Sequence, residues 1–376
     1  MDFDLSDEQR ILRKSARDFL TRECPAALLE LESGGEGRLG RLWQGMASLG
    51  WMGIAFPEEY GGSGGSFLDL VLLLEEMGYS ACPGPFFSTV VLGGLPIMTG
   101  GNEGQKNEFL PKIARGELIL TLALTEPKAG FDASSVRTKA IRSEGGYLIS
   151  GTKLFVPDAD LAHFLLCVAR TQEGREAEEG ITLFLVEAGA QGIECTRLET
   201  LAKDRQCEVV FRDVGVSTDE ILGVENRGWP LVRGTLQRAA VGRCAEMIGG
   251  AQRVMEMALA HARERVQFGR PIGGFQAIHG HFADMWVEIC GSRNLLHKAA
   301  WMLSEGIPAD KEVAMAKAKV GSACRRVTAL GHQIFGAIGF TMEHPMHLYY
   351  RRAMAGELSF GDSEFHKECV ARELGL

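Results

Sequence analysis

The feature that most constrains this chain is a double change in hydrophobic period. From about Leu118 to Val224 the apolar residues fall in short segments, among them ILTLALTEP, HFLLCVAR, GITLFLVEA and CEVVFRDVGV. They are rich in β-branched and aromatic residues and are separated by turn residues, the mark of strands. In SVRTKAIRSEGGYLISGTKLFV, Glu-Gly-Gly sits between two alternating runs and predicts a hairpin, while TQEGREAEEG reads as a solvated loop between strands. On both sides the period is helical. Ser6 and Gln9 form a capping box ahead of Ile11, Leu12, Ala16, Phe19 and Leu20. Further helices are expected over about Leu39–Gly50 and Ser66–Met77, broken by AFPEEYGGSGGS and PGPFF, with TGGNEGQKNEFLPKIARGE as a third glycine-rich stretch. After Gly228 long helical patterns cover about Leu231–Arg265, Gln276–Glu305 and Asp310–Phe335, parted by Gly-Arg-Pro at 269–271 and by Gly306 to Pro308. Long helices with short connections predict an antiparallel bundle. The expected architecture is α+β: an N-terminal helical domain (1–117), a central antiparallel β-barrel or sandwich (118–225) and a C-terminal four-helix bundle (226–376).

Composition narrows the function classes. The chain has 376 residues, 45% hydrophobic and 24% charged, with a formal net charge of -9. No basic stripe exists to neutralise phosphates, so a nucleic-acid partner is not expected. MDFDLSDEQR is acidic and leads into a helix, unlike a secretory signal, and the apolar run LVLLLEEM is cut short by Glu75 and Glu76. Nine cysteines, none in a Cys-x-x-Cys pair, read as reduced thiols of a cytoplasmic protein. No ligand set has metal-binding spacing; His279 and His281 would face different sides of a helix.

Three stretches in this order carry a resemblance: LALTEPKAGFD (122–132), RERVQFGRPIGGFQAI (263–278) and HQIFGAIGF (332–340). With the helix–strand–helix order they resemble the acyl-CoA dehydrogenase family over essentially the whole chain. The resemblance implies FAD, bound without a G-x-G-x-x-G fingerprint and wedged between the β-domain and the bundle, its pyrophosphate reaching a neighbouring subunit. Leu122, Leu124 and Thr125 would line the flavin ring, and Gly130 would let backbone approach it. From the other subunit Arg265 would pair with the pyrophosphate, with Phe268, Gln333 and Gly336 completing that wall. Several positions depart from the family pattern. Phe155 stands for the usual Trp over the flavin, Pro157 for a flavin-contacting Thr, Phe131 for a small Ser, and Ala337 for the second glycine of Q-x-x-G-G. Ser363, at the start of the last helix, belongs with the cofactor-side positions.

The reaction that the resemblance implies is α,β-desaturation of an acyl-CoA thioester. A carboxylate removes the α-proton while the β-hydrogen leaves as hydride to the flavin. The usual base is the Glu of Y-E-G-T before the last helix. The matching stretch here is FGDSEFHKE (360–368), where alignment on Phe360 and Ser363 puts Gly361 at the Glu position. An alternative family position for the Glu, on the first bundle helix, is Ala239. Three carboxylates could substitute: Asp362, Glu364 and Glu246. Asp362 equally suits a helix N-cap, with Glu364 beside the dipole's positive end, and Glu246 suits an ion pair with Arg243. A fourth possibility is no base on this chain, as in two-part bacterial relatives in which a homologous subunit supplies it. The resemblance also implies electron-transfer flavoprotein as acceptor and a homotetramer, or a hetero-oligomer with a homologous subunit. An enoyl-CoA reductase running the reaction backwards is an alternative, and the acyl group is left open among straight-chain, branched, aromatic and steroid-derived.

Overall fold

The structure is a computed structural model that describes residues 5–24, 36–128 and 130–376. Residues 1–4 of the acidic start and Ala129 of LALTEPKAGFD lie outside the described residues. The helices are α1 (Asp7–Glu23), α2 (Glu36–Ser48), α3 (Phe67–Tyr79), α4 (Leu95–Gly100), α5 (Glu103–Ala114), α6 (Trp229–Glu264), α7 (Gln276–Ser304), α8 (Asp310–Phe335), α9 (Met346–Leu358) and α10 (Ser363–Glu373). The strands are β1 (Leu120–Ala123), β2 (Lys139–Ser143), β3 (Gly146–Pro157), β4 (Phe164–Arg170), β5 (Ile181–Glu187), β6 (Ile193–Leu198), β7 (Gln206–Ser217), β8 (Ile221–Leu222), β9 (Val266–Gln267) and β10 (Arg270–Pro271). Among the described residues no helix is long and apolar enough to cross a membrane.

The chain divides into two compact units. One gathers Met1–Gly37, Ser66–Pro83 and Ala240–Leu376; the other gathers Arg38–Gly65 and Gly84–Ala239. In the first, α3 packs against α6 at backbone contact distance. A Cβ at Gly78 would fall 2.0 Å from the Glu246 carbonyl oxygen, and one at Gly249 1.8 Å from the Glu75 carbonyl oxygen. Only glycine permits so close an approach. The two carboxylates that interrupt LVLLLEEM are buried here and paired. Glu75 meets Arg293 (2.8 Å) and Arg13 (3.5 Å), with His297 at 3.5 Å, and Glu76 meets Arg13 (3.1 Å) and Arg17. Burial pushes the Glu75 carboxyl up, but the contacts with His297, Arg293 and Arg13 outweigh it and bring it down to about 2.

The second unit holds the sheet, ordered β6-β7-β3-β2-β4-β5-β8, with β1 paired to β4. Most of the ladder is antiparallel, as alternation and tight turns dictate. It is nonetheless a mixed sheet: β1 runs parallel to β4 and β2 meets β4 in parallel at Lys139 and Arg170. Its core is a buried cluster that includes Tyr147, Ile149, Leu165, Phe184, Val209 and Phe211. The third glycine-rich stretch contains a helix. Asn102 caps α5 with a capping box to Gln105, and Pro111 is accommodated near its end. Residues 87–94, FSTVVLGG, form a wholly buried π-helix ahead of α4. Two glycines close it: a Cβ at Gly93 would meet Leu120 at 2.6 Å and one at Gly94 would meet Phe56 at 2.4 Å.

Candidate active site

In the sheet unit, the end of β1 and the middle of β3 are tied together by one buried ion pair. Lys153 has no exposed surface, and its Nζ donates to Glu126 Oε1 (2.7 Å) and to the Leu124 carbonyl (3.1 Å). The other donors to Glu126 are backbone N–H groups, Arg137 to Oε2 and Thr138 to Oε1, both at 2.9 Å. Burial pushes the Glu126 carboxyl up, but the Lys153 charge and these hydrogen bonds hold it below the usual carboxylate range. The Leu154 N–H donates to the Thr125 carbonyl at 2.8 Å. The two ends of this loop, at Leu124–Glu126 and at Arg137–Thr138, are therefore held together by a buried carboxylate and a buried lysine.

That clamp sets the surroundings of the positions expected to line the flavin ring. Leu122 is buried, while Leu124, Thr125, Gly130, Phe131 and Pro157 are half-buried. The β3–β7 register shifts between Lys153 and Val156, an extra residue that makes a bulge. Phe155 lies in the bulge at φ +53°, which turns its ring outward with 56% of the residue exposed. An outward aromatic face beside a strand end with the Thr125 hydroxyl suits a planar, polar-rimmed ring such as the isoalloxazine of FAD. Gly130 has a second reason to be glycine, because a Cβ there would fall 2.0 Å from Ser135 Oγ.

The positions expected to meet the cofactor from a neighbouring subunit lie in the helical unit. Val266–Gln267 and Arg270–Pro271 form a tight hairpin whose turn residues, Phe268 and Gly269, both have positive φ. The turn lifts Phe268 to 91% exposure, with Arg265 exposed at its base. At the end of α8, Gln333, Gly336 and Ala337 are exposed too, followed by the exposed Ile338 and Phe340. This places a guanidinium, an amide and apolar side chains on open surface.

The three candidate bases have very different settings. Glu364 is 80% exposed and bonds Lys367 at 2.6 Å, a solvated pair on the first turn of α10. Glu246 is ion-paired to Arg243 within α6. Asp362 caps α10: its Oδ1 accepts from the Phe365 N–H at 2.8 Å, which leaves the second carboxylate oxygen outside that bond. Ser363, next in line, is buried. Position 361 admits no side chain, since a Cβ would lie 2.5 Å from Phe365 Cδ1 and 2.7 Å from His366 Nε2. Ala239 is buried in α6.

Sequence reasoning passed over two residues under this turn. Lys317, on α8 and fully buried, donates from Nζ to the carbonyls of Glu357 (2.7 Å) and Gly361 (2.8 Å). His366, on α10, holds the Phe360 carbonyl through Nε2 at 2.9 Å. Their partners are backbone oxygens, which leave no signature in sequence.

Comparison with known proteins agrees with this geometry. Models of the acyl-CoA dehydrogenase N-terminal, middle and C-terminal domains match residues 6–117, 121–214 and 226–375. The acryloyl-CoA reductase (NADH) of Anaerotignum propionicum is 33% identical over 380 residues, 100% of this chain and 96% of that protein. The solved structure of butyryl-CoA dehydrogenase from Megasphaera elsdenii superposes with a TM-score of 0.92 at 32% identity, covering 100% of both chains. A structure described as the electron transferring flavoprotein of Acidaminococcus fermentans matches at TM-score 0.93 and 30% identity, over 100% of this chain and 99% of that one. The chain belongs to the acyl-CoA dehydrogenase family, whose members are FAD-dependent oxidoreductases of acyl-CoA thioesters.

Proposed function

We propose that this protein desaturates an acyl-CoA thioester at the α,β position, with Asp362 as the base. The observation that carries the assignment of the base is the cap at α10. One oxygen of Asp362 fixes the helix start, so the second is held in a defined direction by a rigid element. Glu364 is solvated and Glu246 is neutralised by Arg243, which leaves neither suited to the task. FAD, when bound, accepts the electrons that depart with the β-hydrogen. Leu122, Leu124, Thr125, Gly130, Phe131, Phe155 and Pro157 would hold its ring side. Arg265, Phe268, Gln333, Gly336 and Ala337 of a second copy would hold its phosphate side, and Ser363 the start of α10. The protein's own work is to orient the thioester, exclude water and take the α-proton at Asp362.

The exposed hairpin around Phe268 supports an oligomer, since so large an apolar ring on open surface calls for a covering partner. A homotetramer that passes electrons to an electron-transfer flavoprotein fits the family and the Acidaminococcus match. A reducing compartment such as the cytoplasm fits a sequence whose nine cysteines include no Cys-x-x-Cys pair. The test is Asp362→Asn. Asparagine caps a helix as well as aspartate does, so fold and flavin should persist while reduction by acyl-CoA disappears. A variant reduced at the wild-type rate would overturn the assignment of the base.

A second reading has its own observation. All three candidate carboxylates already have structural partners. A non-catalytic subunit that relies on a homologue's base would show this pattern, and it would bind FAD yet remain oxidised alone with every acyl-CoA tried.

A further inference from the structure

The turn between α9 and α10 has an unusual conformation. Phe360 and Gly361 are consecutive residues at positive φ, +58° and +94°. For a phenylalanine this conformation is strained and persists only where surroundings enforce it. The enforcing groups are visible. Lys317 Nζ holds the carbonyls on both sides of the turn, Glu357 at 2.7 Å and Gly361 at 2.8 Å. His366 Nε2 holds the carbonyl between them, Phe360, at 2.9 Å. Gly321 gives this site room: a Cβ there would press on Ser363 Oγ at 2.7 Å and Glu357 Cγ at 2.9 Å. Lys317 is fully buried and His366 is 7% exposed, so neither bond competes with water. His366 Nδ1 is buried without a hydrogen-bond partner, so the ring is placed for the one bond it makes.

We infer that Lys317 and His366 are positioning residues of the reaction: together they hold three backbone carbonyls so that Asp362 leaves the turn in one fixed direction. This rests on the reading of Asp362 as base. Neither residue touches substrate; both act through the backbone that carries the carboxylate. Misplacing a reacting group by about an ångström costs on the order of 100-fold in rate, so loosening this turn should lower the limiting rate far more than it weakens binding.

The experiment compares wild type, His366→Leu, His366→Gln and Lys317→Met as full-length, FAD-loaded proteins. Anaerobic stopped-flow flavin reduction is measured against acyl-CoA concentration, and amide exchange is followed at residues 360–365. Glutamine keeps an N–H donor for the Phe360 carbonyl, whereas leucine does not. The expected result is a limiting rate about 100-fold lower in His366→Leu, with half-saturation within ~3-fold of wild type, unchanged FAD content and faster exchange at the turn. His366→Gln should recover most of the rate, and Lys317→Met should behave like the leucine variant. A His366→Leu protein that keeps wild-type rate and exchange overturns the inference. So does one that loses FAD together with His366→Gln, because the role is then structural. If the wild type itself is not reduced, the base assignment fails instead. The clamp then stands if exchange at the turn accelerates in the leucine variant and falls if it does not.

Discussion

Lys153 and Lys317 are both without exposed surface, and each secures a turn through backbone carbonyls, but they face different partners. Lys153 bonds a carboxylate, Glu126 at 2.7 Å, as well as the Leu124 carbonyl. Lys317 bonds two carbonyls, and burial pulls its ammonium below the usual lysine range. The first clamp is a desolvated ion pair, in which losing one member strands the other's charge. The second is a charged donor on dipoles, in which losing the lysine strands only two oxygens. The lesson is that equally buried lysines differ in what their removal leaves behind. The β1 loop should be intolerant of change, while the α10 turn should lose alignment before it loses fold.

The largest effect expected from this contrast is for Lys153→Met, which leaves the Glu126 carboxylate buried and unpaired at a cost of about 3–5 kcal/mol. Urea unfolding measures it, and the double variant Lys153→Met/Glu126→Gln should regain part of the loss. Equal losses in the single and double variants would break the ion-pair account. Lys317→Met should cost less, on the order of 1–3 kcal/mol, because only neutral acceptors are orphaned. A loss as large as that of Lys153→Met would erase the distinction.

The pH dependence sharpens the second clamp. Burial lowers the His366 imidazole from 6.5 to about 4, against the pull of the Phe360 carbonyl. The unfolded chain therefore takes up this proton first. Its contribution to stability is complete above pH 6.5, declines as the pH falls toward 4, and amounts to about 3 kcal/mol. His366→Gln should flatten that part of the stability–pH curve, while the acid limb set by Glu75, between pH 4.5 and about 2, should remain. An unchanged curve would show that His366 does not titrate as its burial requires. The smallest effect belongs to Glu364→Gln, where a solvated pair with Lys367 is lost. Stability should move by less than about 0.5 kcal/mol and flavin reduction should not change.

Much of the fold was legible because its signals are local. Helices α6, α7 and α8 run 229–264, 276–304 and 310–335, close to the limits set by helical period and by Gly-Arg-Pro and Gly306–Pro308. The Ser6 capping box and the Asp362 cap were equally legible, since both depend on residues three apart. The π-helix at 87–94 and α5 were not: Gly93 and Gly94 pack against Leu120 and Phe56, which are distant in sequence, and Gly104 and Pro111 disfavour a helix on local propensity alone. In the site, motif positions such as Thr125, Phe155 and Phe268 were legible as residue types. The outward turn of Phe155 was not, since a bulge depends on β7 as much as on β3. Lys153 and Lys317 could be recognised only once the carbonyls they hold were in place.

The most direct measurement is the visible spectrum of the purified, FAD-loaded protein during anaerobic titration with an acyl-CoA panel, wild type beside Asp362→Asn. The account predicts that the oxidised flavin band bleaches in the wild type with at least one acyl-CoA and persists in the asparagine variant, with equal FAD content in both. A wild type that stays oxidised throughout, or an asparagine variant that bleaches at the same rate, would contradict it.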